Sequence, residues 1–344
     1  MLDFYSDCRT IPSRTMRETV LDANVGDEQR GEDPTTLSLC RRVAQIVGKE
    51  EAIFMPSGTM CNEVALYIFC QRGEVVICER TSHIINFEVG APAALAGAQI
   101  QAMDGERGML TTSHLDQAMK QTGKGGNHLP HAAALVLEQT TNLGGGAVWP
   151  LEQLTSVATH AKSFGLKTYL DGARLFNACV RSGITADRYC ASFDAVSLDF
   201  TKGLGCPFGA VLAGPRDFIA KAWRVRQMFG GGMRQSGIMT AMAHYALDHN
   251  VDRLAEDHSV AAHIGAALST CPKIACVLPV ETNIVIFEIS TEGPTAQELV
   301  DFARKRGFKI GAFGRRTVRV VTHLDVDMTA ARQLVTVIKE GLNA

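Results

Sequence analysis

A chain of 344 residues, 46% apolar and 20% charged, is long and apolar enough to bury a sizeable core, which excludes a disordered protein. Thirty-four basic against 36 acidic side chains give a net charge of -2 with the signs interspersed, so no basic field exists to release counterions from a nucleic acid. Small-molecule chemistry is what remains to be expected, on one large α/β unit or, better, a large domain with a smaller one.

Met1 to Met16 carries charges where a signal peptide needs an apolar core, and no stretch reaches the run of about 18 apolar residues that crosses a bilayer, so a cytoplasmic chain is expected. A polar arm then leads to Leu37, Cys40, Val43, Ala44 and Val47, a helical stripe opened by Asp33 and Pro34 and closed by Gly48. Ala52 to Met55 reads as a strand running into the turn Pro56-Ser57-Gly58-Thr59, after which Ala65, Leu66 and Phe69 carry a second helix towards Gly73. Val75 to Cys78 and Gln99 to Met103 read as strands, Leu115 to Met119 as part of a short helix, and Ala134 to Leu137 as a buried strand. Pro150 opens a helix through Leu151, Leu154, Val157 and Ala161, and Thr168 to Leu170 is a strand ending at Asp171. Ala195 to Leu198 precedes Lys202, and Gly209 to Ala213 supplies a further strand. Strands alternating with helices need crossover connections, hence an α/β fold with a mainly parallel sheet, helices on both faces and ligands beyond the carboxyl ends of the strands.

After a long helix from about Ser236 to His249 the texture changes. Strands are expected at Cys276 to Pro279, Asn283 to Glu288 and Thr317 to Thr322, with helices at Thr295 to Arg306 and Thr329 to Gly341, the pattern of a small C-terminal α+β domain. The expected division is 1–249 for the arm and large domain and 250–344 for the small one. Ten cysteines are scattered through apolar segments without a C-x-x-C pair, the usage of reduced, mostly buried thiols. His128 and His131 alone keep a structural zinc site open, and none is expected.

Three features fall at strand ends. Ser57-Gly58-Thr59 opens a helix, whose free N–H groups and positive dipole end suit a phosphate; taken alone it is equally an ordinary N-cap. Asp171, in Leu170-Asp171-Gly172-Ala173-Arg174, sets a buried carboxylate close to a guanidinium, either a site or a structural ion pair. Lys202 lies among small and apolar residues, where desolvation lowers an ammonium pKa towards that of a carbonyl-condensing nucleophile. Together the three suit pyridoxal 5'-phosphate, which needs an amine for its aldehyde, a carboxylate for its ring nitrogen and a phosphate cup. His83, in the turn after Val75 to Cys78, is placed to stack on a ring or to be an ordinary loop histidine.

These residues, with Gly31-Glu32-Asp33-Pro34-Thr35, Thr201-Lys202-Gly203-Leu204-Gly205 and Gly230-Gly231-Gly232-Met233-Arg234-Gln235, resemble the L-threonine aldolase family of fold-type I pyridoxal-phosphate enzymes. The resemblance runs from Ser6-Asp7 to Arg319-Val320-Val321-Thr322-His323. It implies an aspartate-aminotransferase-like fold and cleavage of an L-β-hydroxy-α-amino acid to glycine and an aldehyde. It implies that Lys202 holds the cofactor, Asp171 pairs with its ring nitrogen, His83 stacks on the ring, and Ser57, Gly58 and Thr59 bind the phosphate. Ser6, Arg174 and Arg319 would take the substrate carboxylate, with Arg174 also beside the cofactor, and Arg234 would reach the phosphate of a neighbouring subunit. His128 or His83 would face the β-hydroxyl, while His131 and His323 are structural. A homotetramer built as a dimer of dimers with shared active sites follows from the resemblance, as does the absence of a catalytic metal.

Two positions depart from the family pattern. Arg30 stands where a tyrosine is usual, and either shifts preference towards an acidic β-substituent or contacts phosphate or a neighbouring chain. Asp199 stands where a smaller, less polar residue is common, and either raises the lysine pKa or caps a loop. A β-eliminating lyase or aminotransferase would use the same Lys202 and Asp171, and a non-catalytic cofactor-binding scaffold is the alternative of another class.

Overall fold

The computed structural model describes residues 1–122 and 128–343. Its first strand, β1 (Leu2–Asp3), belongs to the arm. A central sheet follows from β2 (Glu51–Met55), β3 (Val75–Glu79), β4 (Gln99–Met103), β5 (Ala132–Glu138), β6 (Lys167–Gly172), β7 (Ala195–Asp199) and β8 (Ala210–Gly214), in the order β2-β8-β7-β6-β5-β3-β4. All neighbours are parallel except those of β8, which runs antiparallel to both β7 and β2. The cause is local: the connection from Asp199 to Ala210 is too short for a crossover, which takes about a dozen residues or more, so the chain turns straight back. β3, β7 and β8 are buried throughout, which is why their sequences are continuous apolar runs instead of alternating ones.

Helices Gly58–Phe69 and Arg216–Met228 cover one face, packing Val64, Ala65 and Ala222 against Val76, Val136 and Tyr169. Helices Pro34–Ile46, Leu151–Ser163 and Gly237–His249 cover the other, with Val43, Leu154 and Ala243 in one core with Ile77, Leu170 and Val196. The chain lays β4 on one side of β3 and then β5, β6 and β7 on the other. The carboxyl ends of β3 and β5 therefore flank a topological switch point, the place where such sheets hold ligands.

A second core is built on β9 (Ile274–Val277), β10 (Ile284–Ile289), β12 (Gly311–Ala312) and β13 (Thr317–Val321), an antiparallel sheet in the order β12-β13-β10-β9, with β11 (Phe308–Lys309) just before it. Helices Leu254–Ser269, Ala296–Lys305 and Met328–Asn343 contribute to this core. Period-2 alternation puts Val318 and Val320 into it and turns Arg319 the other way, towards the large sheet. The arm is anchored as well. β1 pairs in parallel with β11, and Phe4 is fully buried in the second core.

Candidate active site

Lys202, Asp171, His83, Gly58 and Thr59 line one cavity of about 190 Å³ together with Asp199. Lys202 opens a short turn after β7 with φ 65°, a left-handed conformation that costs a side-chain-bearing residue about 1 kcal/mol. It is held there through its carbonyl, which accepts from the Thr10 hydroxyl at 2.9 Å and from the Gly205 amide at 3.0 Å. The Nζ is ion-paired with Asp199. Burial pulls the lysine pKa down, but the Asp199 carboxylate more than reverses this and holds it above its ordinary value. That corrects the expectation of a lysine softened by desolvation, and of the two readings of Asp199 the ion pair is the one observed.

Asp171, at the end of β6, sits in register beside Glu138 on β5 and Ser197 on β7. Its Oδ1 accepts from the Ala173 amide at 3.0 Å and its Oδ2 from Asn62 Nδ2 at 2.9 Å. Asn62 accepts from the Tyr169 hydroxyl at 2.7 Å and donates at 2.7 Å to Glu88 Oε1, which also lies 2.6 Å from His83 Nδ1. Against a carboxylate the imidazole Nδ1–H is the donor. Burial lowers the His83 pKa, but Glu88 and Asp171 outweigh it and raise it above the ordinary value. Burial, then Asp171, pushes Glu138 up to about 7. Burial, then the neighbouring Glu88 carboxyl, pushes Glu63 up to about 9. Ligating atoms of His83, Glu88 and Asp171 fall within 4.8 Å of one another, a grouping that Asn62 and the His83–Glu88 bond already knit into a hydrogen-bond network.

Of the two sequence readings of Ser57-Gly58-Thr59, the N-cap is observed at the start of helix Gly58–Phe69. Ser57 is its N-cap, accepting from the Met60 amide at 3.2 Å, while the first-turn amides at Gly58 and Thr59 have no acceptor within the helix. The grouping fits a phosphorylated pyridoxal cofactor in its donor set: one largely buried lysine, one buried carboxylate at a strand end, one ring-shaped neighbour and one helix start. Asp199 is the discordant member, because its buried Oδ1 has no partner among the described residues.

Beside the cavity lies a basic pocket. Arg174 donates through Nε and Nη2 to the two oxygens of Asp7, both at 2.7 Å, and Asn283 adds a bond to Asp7 at 3.0 Å. Burial would raise the Asp7 pKa; the guanidinium overcomes this and holds it well below the carboxylate range. Arg319 donates to Asn142 Oδ1 at 2.7 Å and to the Tyr5 carbonyl at 3.4 Å, lies 4.0 Å from the Phe313 ring centroid, and leaves Nε without a partner among the described residues. Burial, then the Arg174 charge, push its pKa down to about 10. Arg319 is therefore a buried cation short of an anion. Ser6, also buried, caps the turn at Asp7–Arg9 by accepting from the Cys8 amide at 3.2 Å.

Three expected residues are not brought here within one chain. Arg234 and Arg30 both pair with Asp27, at 2.9 and 3.7 Å, and are 60% and 75% exposed. His128 is exposed just before the amino end of β5, the opposite edge of the sheet from Lys202 and His83. His131 is exposed beside it, whereas His323 is buried with Nε2 2.8 Å from the Asp3 carbonyl, a structural histidine. Sequence reasoning left Asp7, Glu88, Asn142 and Asn283 without roles. Glu88 carried a signal, a lone carboxylate in the mostly apolar Ile84 to Val89 stretch, while Asp7 looked like any other arm charge. A larger cavity of about 400 Å³, between Cys40, Phe54 and Trp223, is lined by none of the residues of the Lys202 cavity or of the basic pocket.

A family model for beta-eliminating lyases matches residues 3–292. The low specificity L-threonine aldolase of Escherichia coli is 39% identical over 326 residues, covering 95% of each chain. Alanine racemase TOXG of Cochliobolus carbonum is 33% identical over 352 residues, covering 99% of this chain and 88% of the other. The solved structure of Leishmania major threonine aldolase matches with a TM-score of 0.84 over 99% of both chains at 20% identity, a likeness of fold. With a family match over most of its length and close relatives over nearly all of it, the chain belongs to the beta-eliminating lyase family, alongside the L-threonine aldolases.

Proposed function

We propose that this chain is a pyridoxal-phosphate-dependent aldehyde lyase, cleaving L-threonine, L-allo-threonine or a related L-β-hydroxy-α-amino acid reversibly to glycine and an aldehyde. The observation that carries the reading is the meeting of Lys202, Asp171, His83 and a helix start in one cavity, beside a buried arginine lacking an anion. The 39% identity to the Escherichia coli aldolase supports the substrate class.

Lys202 supplies the amine that holds the cofactor, Asp171 the carboxylate for its ring nitrogen, His83 a ring to stack on it, and Ser57, Gly58 and Thr59 the phosphate seat. When bound, pyridoxal 5'-phosphate supplies an electron sink for the pair left by the breaking Cα–Cβ bond. The rest falls to the protein. Arg319, with Ser6 and the Arg174–Asp7 pair behind it, takes the substrate carboxylate, a planar anion that a guanidinium fork suits. With Nδ1 committed to Glu88, His83 has Nε2 to take the β-hydroxyl proton, and its raised pKa favours holding that proton. His128 reaches a hydroxyl only in a neighbouring subunit's site, and Arg234 a phosphate likewise; Arg30 lies with it at Asp27. Those placements support a homotetramer with shared sites. No helix among the described residues is long and apolar enough to cross a membrane, and the cytoplasm is the proposed compartment.

The racemase relative favours a second reading, in which the Cα–H bond breaks and the side chain stays. Incubating the enzyme with threonine, phenylserine and alanine, and assaying glycine, aldehyde, keto acid and D-alanine, separates the readings. Glycine and aldehyde in equal amounts are expected. Keto acid or D-alanine without aldehyde rejects the aldolase, and no product at all leaves a cofactor-binding scaffold.

A further inference from the structure

Asp199 is a charged group in the cavity that the proposed cofactor does not call for. It ends β7 on the sheet face covered by helix Gly58–Phe69. One oxygen, Oδ2, is ion-paired with Lys202; the other, Oδ1, is buried without a hydrogen-bond partner among the described residues. Gly58 is the first residue of that helix, and a β-carbon added to it would lie 2.3 Å from Oδ1 and 2.8 Å from Oδ2. The free oxygen is thus pressed against the positive end of a helix, at the seat assigned above to a phosphate. A carboxylate already fills the role of the anion there.

Resting on the pyridoxal-phosphate reading, we propose that Asp199 makes cofactor uptake proton-linked: its carboxylate and the incoming phosphate share one proton, taken from solvent, at the start of helix Gly58–Phe69. A phosphate monoester ionises a second time near pH 6, so at neutral pH a dianion approaches a carboxylate in a site screened from water. One proton added between the two anions turns that repulsion into an O–H···O⁻ bond, which is short and strong. No covalent bond changes, and Lys202 is freed from Asp199 for its own role. The other titratable or charged groups around Asp199 are Lys202 on its own turn, Cys61 on the helix, Asp171 at the end of β6, Arg174 after it, His83 after β3, and Cys8 on the arm. Burial, with Asp199 adding to it, drives the Cys61 thiol well up, and Lys202 is held above its ordinary value, so His83 is the neighbour whose titration must be separated.

The probe is pyridoxine 5'-phosphate, which lacks the aldehyde and forms no bond with Lys202, with phosphate-free pyridoxine as the control for ring and His83 titration. Binding is followed by fluorescence from pH 6 to 9 with the full chain freed of cofactor, as wild type and as Asp199→Asn and Asp199→Ser. Wild-type Kd for the phosphorylated probe is expected to rise about tenfold more per pH unit, above pH 7, than that of either variant, as one proton requires. At pH 9 the variants bind it at least tenfold tighter than wild type, and pyridoxine shows no such difference. Calorimetry of the wild type in buffers of different ionisation enthalpy counts one more proton taken up with the phosphorylated probe than with pyridoxine. Equal pH slopes in wild type and variants, or equal proton counts for the two probes, overturn the proposal while leaving the cofactor reading intact. Failure of every protein to bind either probe overturns both.

Discussion

At Arg174 and Asp7 buried charges are matched atom for atom, and at Arg319 they are not. The consequences of truncation differ accordingly. Arg174→Ala leaves Asp7 buried and unpaired, and is expected to cost about 3–5 kcal/mol of stability, read from the urea midpoint. Arg319→Ala removes a cation that was waiting for an anion; its main effect is expected in KM for threonine, raised by about thirtyfold or more, the loss that follows truncation of one side of a buried charge pair. The His83–Glu88 pair adds a pH signature. Because the folded-state histidine pKa is raised, the pair's stabilisation is complete below about pH 6.5 and is lost as pH rises through the folded value. The stability gap between wild type and Glu88→Gln, measured by urea denaturation, should therefore be wider at pH 6 than at pH 9. Lys202 marks the limit of legibility at this scale. Its apolar surroundings were visible, but whether Asp199 points at it depends on a left-handed turn that residue types alone do not specify.

The helix Gly58–Phe69 begins at the Ser57 cap and there meets Asp199 from the end of β7, at the seat proposed for a phosphate, and close approach at its first residue leaves no room for a methyl group. Gly58→Ala is expected to cost about 1–3 kcal/mol by overpacking, and less than about 1 kcal/mol when made in Asp199→Ser, where the obstructing oxygens are gone. Equal costs in the two backgrounds, by urea denaturation, would show that the contact is relieved elsewhere. Most elements of the large sheet were legible because apolar runs bounded by turn residues mark buried strands. The reversal of β8 was equally implicit in its short connection. Helix Leu254–Ser269 was not legible: alanine-rich and packed between the two cores, it lacks a single apolar stripe, and Leu254 belongs to the large core while Val260, Ile264 and Leu268 belong to the small one. Helix Arg216–Met228 did carry a stripe, Phe218, Ile219, Ala222 and Val225, that its many charges obscure.

Over the whole molecule the arm is what binds the two sheets into one site. Its pairing partner, Phe308, is more than three hundred positions away, so no local pattern could reveal it, whereas the mainly parallel sheet followed by a smaller antiparallel one was written in repeating local signals. Phe4→Ala is expected to cost about 3–5 kcal/mol and, because Ser6 and Asp7 follow directly, to lower retro-aldol activity out of proportion to that of an equally destabilising change in the large core. The same geometry sets an order of events during synthesis. Residues 1 to 10 leave the ribosome long before their partners, which are Arg174, Lys202, Asn283, Phe308 and Val321, and the Phe4 carbonyl waits for the Val321 amide. This segment therefore finds its place only after Val321 has been made, and a nascent chain with its large sheet already folded still has Asp7 undocked from Arg174.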